Sequence, residues 1–176
     1  MKPCATPYVT PMPWGDNLQH PQYATDETYR RAAEWLGVCK TVADWGGSTG
    51  YFGTLVPSEC AYHVVDGTMQ VTEQTLADLR TYRQPADGVL LRHVLELNDD
   101  WRAILDNALA SFDRRMVVVL HTPHASPAMS VKVKSGWPIW HLDYEELRDL
   151  MGVHLVRDES VQTTHPEHVF YLERAL

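Results

Sequence analysis

The sequence predicts an α/β fold, a doubly wound and mostly parallel sheet that ends in an antiparallel hairpin. Runs of aliphatic and β-branched residues alternate with segments of helical periodicity through most of the chain. That alternation is typical of parallel strands joined by helices that cover both faces of a sheet. The last two strand-like runs follow each other without a helix between them, so we expect them to pair as the hairpin.

The composition fits one soluble domain. The chain has 176 residues, of which 44% are hydrophobic and 22% charged. We expect residues 25–176 to form the domain, preceded by an arm over 1–24 whose five prolines preclude a long helix. The aromatic residues of the arm suggest that it packs over the domain; a partly ordered leader is the alternative.

The net charge and the cysteine content limit which binding partners and which cellular compartment we expect. The net charge of −8 and the lack of a dense Lys/Arg run disfavour nucleic acid. We find no apolar run that could span a bilayer and no secretory signal, so we expect no membrane association. The three separated cysteines predict neither a disulfide framework nor a zinc knuckle. We therefore expect a cytoplasmic monomer or homodimer that acts on a small molecule.

The first half of the chain supplies two strands. A helix is predicted over 26–36, where apolar residues recur at helical spacing and a glycine follows. The first strand, 41–45, runs into a glycine-rich turn, after which residues 51–55 would continue as the first turns of a helix. The second strand, 60–66, closes on an acidic residue.

The middle of the chain supplies the inner strands. Residues 68–83 read as mostly helix, with any third strand short. A buried-type strand over 88–92 is followed by the clearest helix of the chain, 101–112, whose apolar residues form one continuous stripe. The most strand-like run, 116–120, is predicted to be central, and a long connection over 121–142 follows it.

The end of the chain reads as a helix and a hairpin. Asp143 and the acidic residue three positions after it form a capping pattern for a helix that Gly152 ends. Two strands, roughly 153–159 and 168–174, then complete the sheet. The short polar connection between them predicts an antiparallel pair.

The stretch Val42-Ala43-Asp44-Trp45-Gly46-Gly47-Ser48-Thr49-Gly50 organises the rest of the chain. It reads as a buried strand that ends in an acid and opens into a tight turn. Glycine tolerates positive φ and has no Cβ, so a ligand can lie against the bare backbone of such a turn. Other polar residues also end strands, namely Asp66, Arg92, His93 and His121. We expect all of them to share one edge of the sheet with the turn, since ligands of such sheets bind outside the carboxyl ends of the strands.

The spacing from the turn to Asp66 gives a first indication of the ligand. Asp66 lies twenty positions after Gly46. An acid at that distance, at the end of the next strand, can accept hydrogen bonds from the hydroxyls of a ribose. The alternative is a simple acid at a strand end. A dinucleotide fingerprint of the form Gly-x-Gly-x-x-Gly is not matched, which disfavours a dehydrogenase.

The same stretch resembles the first motif of the class I S-adenosylmethionine-dependent methyltransferases, a strand ending in Asp/Glu-x-Gly-x-Gly-x-Gly. Asp44, Gly46 and Gly50 match the motif, and Ser48 stands where the family has its middle glycine. Three further stretches fall where the family places them: Asp66, residues 92–97 and residues 140–147. The resemblance covers roughly residues 25–176 and implies a Rossmann-like fold with S-adenosylmethionine as methyl donor and S-adenosylhomocysteine as product.

The resemblance implies a set of cofactor-binding residues. The backbone around the glycines would hold the methionine part, Asp44 would orient it, and Asp66 would bind the ribose, with Gly67 and Met69 beside the adenine. The full predicted set is Asp44, Gly46, Gly47, Ser48, Gly50, Asp66, Gly67, Met69, Arg92 and His93.

The sequence indicates less about the methyl acceptor than about the cofactor. A histidine can remove the acceptor's proton near neutral pH, and we predict His121 and His124 as catalytic, with His93 and His141 as other candidates. The alternative for His121 is that it only shapes the pocket. A metal site made of His121, His124, His141 and Asp143 is disfavoured because no pair of carboxylates accompanies them, so we predict none.

We therefore predict methyl transfer to an oxygen or nitrogen atom of a small-molecule or sugar-like acceptor. Residues 1–24 and 121–142, rich in aromatic residues, histidine and proline, are expected to form the acceptor pocket. One alternative is a non-catalytic, cofactor-binding module that serves a complex; another is a nucleic-acid or protein methyltransferase. The Asp/Asn-Pro-Pro-Tyr/Phe motif of enzymes that methylate base amino groups does not follow the 88–92 strand.

Overall fold

The computed structural model describes residues 26–67, 74–121, 129–132, 138–163 and 166–175. The helices are α1 (Glu27–Leu36), α2 (Trp101–Ser111) and α3 (Tyr144–Met151). The strands are β1 (Thr41–Trp45), β2 (Ala61–Asp66), β3 (Thr75–Leu76), β4 (Ala86–Arg92), β5 (Phe112–His121), β6 (Met129–Lys132), β7 (Pro138–His141), β8 (Leu155–Val161) and β9 (Glu167–Glu173). Short 3-10 helices span Tyr51–Thr54, Leu95–Leu97 and Gly152–His154.

Seven of the described strands form one sheet in the order β3-β2-β1-β4-β5-β9-β8. The first five of that order are mutually parallel, whereas β9 runs antiparallel to β5 and β8 antiparallel to β9. β6 and β7 pair separately as a small antiparallel ribbon within the connection that follows β5. The predicted fold class, a doubly wound and mostly parallel sheet with an antiparallel hairpin at its end, is confirmed.

Both faces of the sheet are buried. Along β5, Met116, Val118 and Leu120 face one apolar core, while Val117 and Val119 face the other. Successive side chains of a strand point to opposite faces, which is why an inner strand reads as a continuous apolar run. Helices α2 and α3 cover the first core, and α1 covers the second.

The structure corrects three expectations about elements. Residues 74–83 were expected to be mostly helical, but they contain the two-residue strand β3 and turns, and no helix; residues 68–73 lie outside the described part. The helix expected at 51–55 is a single 3-10 turn. β5 is an inner strand as expected, but β4 is the middle strand of the seven.

The capping of α3 follows the prediction. The Asp143 carboxylate accepts hydrogen bonds from the backbone N–H groups of Glu145 and Glu146, at 2.9 and 3.2 Å, and Gly152 follows the helix with φ +52°. The predicted arm, 1–24, lies outside the described residues. Among the described helices, none has the length and apolar character needed to cross a membrane.

Candidate cofactor and acceptor site

Those predicted site residues that the structure describes lie at one edge of the sheet. The strand order reverses between β1 and β4, which makes this pair the topological switch point, where ligands of open α/β sheets bind. The glycine turn, residues 46–50, follows β1 directly. Because β1, β2, β4 and β5 are parallel, Asp66, Arg92 and His121 end their strands at the same edge as the turn.

The backbone of the glycine turn is left-handed at every second residue. The φ angles of Gly46, Ser48 and Gly50 are +75°, +47° and +73°. An L-residue with a Cβ is disfavoured in this region by ~1–2 kcal/mol, whereas glycine is not. The three positions are those that the family motif fills with glycine, so Ser48 holds a conformation that would suit glycine better.

Two glycines are also required by close packing. A Cβ at Gly46 would lie 2.5 Å from Cγ2 of Val94, and a Cβ at Gly47 would lie 2.6 Å from the carboxyl group of Asp44. These distances are shorter than van der Waals contact, so any side chain would displace its neighbour. The turn is thus held against the residues that follow β4.

Hydrogen bonds connect the turn to the end of β2. The Ser48 N–H donates to Oδ2 of Asp66 at 3.0 Å, and the Gly46 N–H donates to the carbonyl of Val65 at 2.7 Å. Asp66 is half-buried. Gly67 follows it in a bend and is exposed, while Met69 lies outside the described residues. The acid predicted to bind a ribose therefore also fixes the shape of the turn.

Asp44 is a buried acid at the base of the turn. Its Oδ2 accepts a hydrogen bond from the Tyr62 hydroxyl at 2.7 Å, and the residue is 3% exposed. Burial raises the pKa of Asp44 to about 7, helped by the nearby negative charge of Asp66; the Tyr62 hydrogen bond and Arg92 act in the opposite direction. The carboxyl group is consequently poised to change charge near neutral pH.

A cluster of buried ionic and polar side chains lies at the ends of β4 and β9. It consists of Thr28, Arg92, His93, Glu96 and Glu167, and we call it the ionic cluster. Arg92 Nη2 donates to Glu167 Oε1 at 2.7 Å, and Arg92 Nε donates to the Thr28 hydroxyl at 3.1 Å. Thr28 in turn donates to Glu167 Oε2 at 2.5 Å. Arg92 is thereby fixed inside the protein, with Tyr29 stacked on its guanidinium group.

His93 lies between two carboxylates. Its Nδ1 is 2.7 Å from Glu96 Oε1, its Nε2 is 2.7 Å from Glu167 Oε1, and its backbone φ is +55°. Burial lowers the pKa of His93, but hydrogen bonds to Glu167 and Glu96 outweigh burial and leave the pKa above its ordinary value. Burial raises the pKa values of both glutamates, but contacts with His93, and for Glu167 also with Arg92, bring the pKa values below the ordinary value. Opposite charges therefore hold the cluster together.

His121 packs directly against the ionic cluster. Its ring stacks on that of His93, with 4.1 Å between centroids and 21° between planes, and its backbone N–H donates to Glu96 Oε1 at 3.1 Å. Burial lowers the pKa of His121 to about 4, helped by the positive charge of His93, so its ring is neutral at neutral pH. His124, the second predicted catalytic residue, lies outside the described residues. His141 ends β7, and Asp143 caps α3.

Sequence reasoning missed four polar residues of this region. Tyr62, which holds Asp44, lies within a predicted strand, and Glu96 lies within a stretch that resembles the family but was given no role. Thr28 and Glu167 come from the two ends of the domain and carry no local signal. Their role follows from the sheet order, which brings α1 and the start of β9 beside the end of β4.

Comparisons with known proteins show the fold. No family model matches the chain, and no curated protein matches it. Magnesium protoporphyrin IX methyltransferase from Synechocystis PCC 6803, solved with bound S-adenosylhomocysteine, is similar with a TM-score of 0.66 at 14% identity, over 85% of this chain and 83% of that one. A 1,6-didemethyltoxoflavin-N1-methyltransferase from Burkholderia thailandensis gives 0.62 at 15% identity, over 85% and 80%.

A mitomycin 7-O-methyltransferase is a further similar structure. Its TM-score is 0.60 at 18% identity, over 85% of this chain and 53% of that one. The sheet order and the antiparallel hairpin at its end agree with these likenesses. The chain has the fold of the class I S-adenosylmethionine-dependent methyltransferases.

Proposed function

We propose that the protein is a methyltransferase that uses S-adenosylmethionine and methylates an oxygen or nitrogen atom of a small-molecule acceptor. The observation that carries the proposal is the left-handed glycine turn at the switch point of the sheet. The turn lies between two acids, Asp44 near the end of β1 and Asp66 at the end of β2. The similar structures named above are small-molecule methyltransferases, and some hold the cofactor or its product. Their likeness supports the proposal.

The residues of the edge fit this cofactor. Backbone groups of Gly46–Gly50 would bind the carboxylate and amino groups of the methionine part, and the buried Asp44 carboxylate would attract the ammonium group. Asp66 would accept hydrogen bonds from the ribose, with Gly67 and Met69 near the adenine. The low steric bulk of the turn is a feature of the chain itself, since two of its glycines leave no space for a Cβ.

Arg92 and His93 would act on the cofactor indirectly. The Arg92 side chain is held by Glu167 and Thr28, and the His93 ring lies between two carboxylates. Both residues instead position the chain that leads to Val94, which packs against the turn. They would therefore support the cofactor through the shape of the turn.

The chemistry would be an in-line displacement at carbon. A lone pair of the acceptor attacks the methyl carbon, the carbon–sulfur bond breaks with its electrons moving to sulfur, and S-adenosylhomocysteine leaves. An acceptor O–H or N–H must also lose a proton. His121 ends β5 at the same edge and is the proposed residue to receive it; His124 would assist from the following segment.

Binding of S-adenosylhomocysteine, measured by calorimetry, tests the proposal. We expect one molecule to bind per chain, and Asp44→Asn and Asp66→Asn to weaken binding at least about tenfold, the equivalent of one charged hydrogen bond. Asp113→Asn is the matched control, because Asp113 is exposed at the opposite end of β5. A folded wild-type protein that binds neither S-adenosylmethionine nor its product would refute the proposal.

Turnover separates an enzyme from a non-catalytic binding module. The measurement is release of S-adenosylhomocysteine from S-adenosylmethionine, with a panel of hydroxyl- and amine-bearing acceptors. We expect acceptor-dependent release. Tight cofactor binding without release from any acceptor would favour the binding module.

A further inference from the structure

We propose that His93, Glu96 and His121 bind one divalent transition-metal ion, such as Zn²⁺, at the edge of the sheet beside the glycine turn. One ligand atom from each of these residues lies within 4.8 Å of the others. The ligand set differs from the one considered from the sequence, because Glu96 supplies the carboxylate and neither His141 nor Asp143 takes part.

Glu96 carries the observation that points to a ligand. The residue is 2% exposed, and its Oε1 is already engaged by His93 Nδ1 and by the His121 N–H. Its Oε2 is buried and has no hydrogen-bond partner among the described residues. A buried carboxylate oxygen without a partner is disfavoured, and a cation held by both oxygens of the Glu96 carboxylate would satisfy Oε2 while Oε1 stays beside His93 Nδ1.

Glu167 completes the arrangement around His93. A metal-bound histidine usually donates its second ring N–H to a carboxylate, which fixes the ring and leaves the other nitrogen for the ion. His93 Nε2 lies 2.7 Å from Glu167 Oε1, and Glu167 is itself held by Arg92 and Thr28. Nδ1 of His93 is therefore the nitrogen directed to the proposed site.

Binding requires two local changes. Nδ1 of His93 must be free of a proton, so the ion replaces the proton that otherwise bridges His93 and Glu96. The rings of His93 and His121 are nearly parallel, so the half-buried His121 ring must also tilt for its nitrogen to face the same ion. His93 already holds a left-handed backbone, φ +55°, a conformation that is costly for a residue with a side chain and that concentrates at functional sites.

The ligand types favour a transition metal over magnesium or calcium. Two imidazoles and one carboxylate suit zinc, cobalt or iron, whereas Mg²⁺ and Ca²⁺ prefer oxygen ligands. Three protein ligands also leave a coordination position open for a further molecule.

The open position suggests a role that rests on the proposed function. Replacing one proton by a divalent ion adds one positive charge to the site, which an acceptor oxygen that has released its proton to solvent would balance. The ion would hold that oxygen for attack on the methyl carbon. Acceptors with a hydroxyl group are therefore favoured over amines. When the ion is bound, His121 would be its ligand and the proton would go to solvent; without the ion, His121 would keep the role of base proposed above.

Metal binding is tested on the full chain after removal of bound ions with a chelator. Zn²⁺ is titrated by calorimetry, and Co²⁺ by its visible absorption, which reports the coordinating atoms. We expect one ion per chain, and more than ~10-fold weaker binding for Glu96→Gln and His121→Ala; Glu167→Gln should weaken binding by about 10- to 100-fold through His93. His63→Ala is the matched control, since His63 is a half-buried histidine on β2. This variant should bind Zn²⁺ and Co²⁺ as the wild type does.

Each outcome supports or overturns the site. The proposal fails if the folded wild-type protein binds neither ion stoichiometrically, if the Glu96 and His121 variants bind as the wild type does, or if Mg²⁺ competes equally. Thermal unfolding of each variant shows that it is folded, and Glu96→Gln keeps the size of the side chain for this purpose. Binding of S-adenosylhomocysteine is measured separately. A protein that binds zinc but not S-adenosylhomocysteine would contradict only the proposed function. A protein that binds S-adenosylhomocysteine but not zinc would contradict only the metal site.

Discussion

The glycine turn and the ionic cluster lie at the same edge of the sheet but are built in opposite ways. The turn is five consecutive residues, and its shape depends on backbone conformation, on the absence of side chains at its glycines and on one outside acceptor, the Asp66 carboxylate. The cluster depends on side chains alone, and Thr28 and Glu167, which share a hydrogen bond, are 139 positions apart in the chain. The first can be read from a short stretch of sequence, and the second exists only once the sheet has formed.

The contrast extends to what each region contributes. Buried ion pairs add little net stability but become costly when one partner is removed. In a left-handed turn, adding a side chain disturbs the backbone shape but leaves no buried charge without a partner. We therefore expect a smaller loss of stability from a substitution in the turn than from one in the cluster. The predictions below test this difference, beginning with the largest effect.

Loss of Glu167 should give the largest loss of stability. Glu167→Ala leaves the Arg92 guanidinium, 5% exposed, without its carboxylate and also removes a partner of His93. Breaking such a buried pair costs ~3–5 kcal/mol. Urea unfolding measures the free-energy difference.

The opposite end of β9 provides the control. Glu173 pairs with Arg115 at 2.9 Å, but both side chains are partly exposed, at 37% and 20%. Glu173→Ala should therefore cost at most ~1 kcal/mol. If Glu167→Ala and Glu173→Ala lowered the free energy of unfolding equally, burial of the cluster would not increase the cost of removing one ionic partner.

Gly46→Ala should disturb the turn by a smaller amount. Its φ of +75° disfavours an L-residue by ~1–2 kcal/mol, and the new Cβ would press on Val94, adding about 1 kcal/mol. We expect a loss of roughly 2–3 kcal/mol in urea unfolding, together with weaker binding of S-adenosylhomocysteine.

Gly67→Ala is the control for the unfolding measurement, though not for cofactor binding, since Gly67 belongs to the proposed cofactor site. Gly67 lies outside the left-handed region, and the nearest atom to its Cβ would be 3.7 Å away, an ordinary contact. Because Val94 is itself buried, the Gly46→Ala change is also made in a Val94→Ala background and compared with Val94→Ala alone. There its cost should fall only by the part due to the contact, and a cost of zero would show that the backbone conformation is not strained.

Local chemistry explains what the sequence predicted. Positive φ and close packing both exclude side chains, so the turn carries a signature of glycines and small residues at fixed spacing. Parallel topology then places the strand ends at one edge, which is why Asp66, Arg92 and His121 could be expected near the turn. Even the irregular Ser48 follows the alternate pattern of left-handed residues.

Features that depend on contacts between distant parts of the chain left no such signature. Glu96 and Glu167 look like ordinary surface acids in the sequence, and only the folded sheet shows that they are buried, at 2% and 1% exposed. The segment with Leu76 and Leu79 was expected to be helical, but Leu76 lies in a two-residue edge strand and is 43% exposed, while Leu79 is buried. A strand of two residues is too short to show a period, so apolar spacing was misleading there.

Cofactor affinity should depend on pH through Asp44, at the base of the turn. With a pKa of about 7, its carboxyl group is largely protonated at pH 6 and largely ionised at pH 8, and only the ionised form attracts an ammonium group. We expect S-adenosylhomocysteine to bind about tenfold more tightly at pH 8 than at pH 6. Calorimetry at the two pH values measures the ratio.

The stability of the protein should change in the opposite direction. The folded-state pKa of Asp44 lies above its unfolded value of 3.8, so the folded state binds the proton more tightly. The stabilisation from this group is complete below about pH 4 and is lost as the pH rises through about 7. Asp44→Asn should remove both trends, and an unchanged pH profile in that variant would assign them to another group.

The smallest effect is expected at Ser48, the one residue of the turn that departs from the glycine pattern. Its φ of +47° costs an L-residue ~1–2 kcal/mol, whereas glycine loses roughly 0.5–1 kcal/mol of extra chain entropy on folding. Ser48→Gly should therefore stabilise the protein by up to about 1 kcal/mol, since the backbone N–H that donates to Asp66 is retained. Ser58→Gly, at an exposed turn residue without a positive φ, should destabilise it because only the entropy term applies. If Ser48→Gly also failed to stabilise the protein, the Ser48 side chain would offset the strain of its own backbone. The turn would then depend on one of its own side chains, as the ionic cluster depends on its side chains.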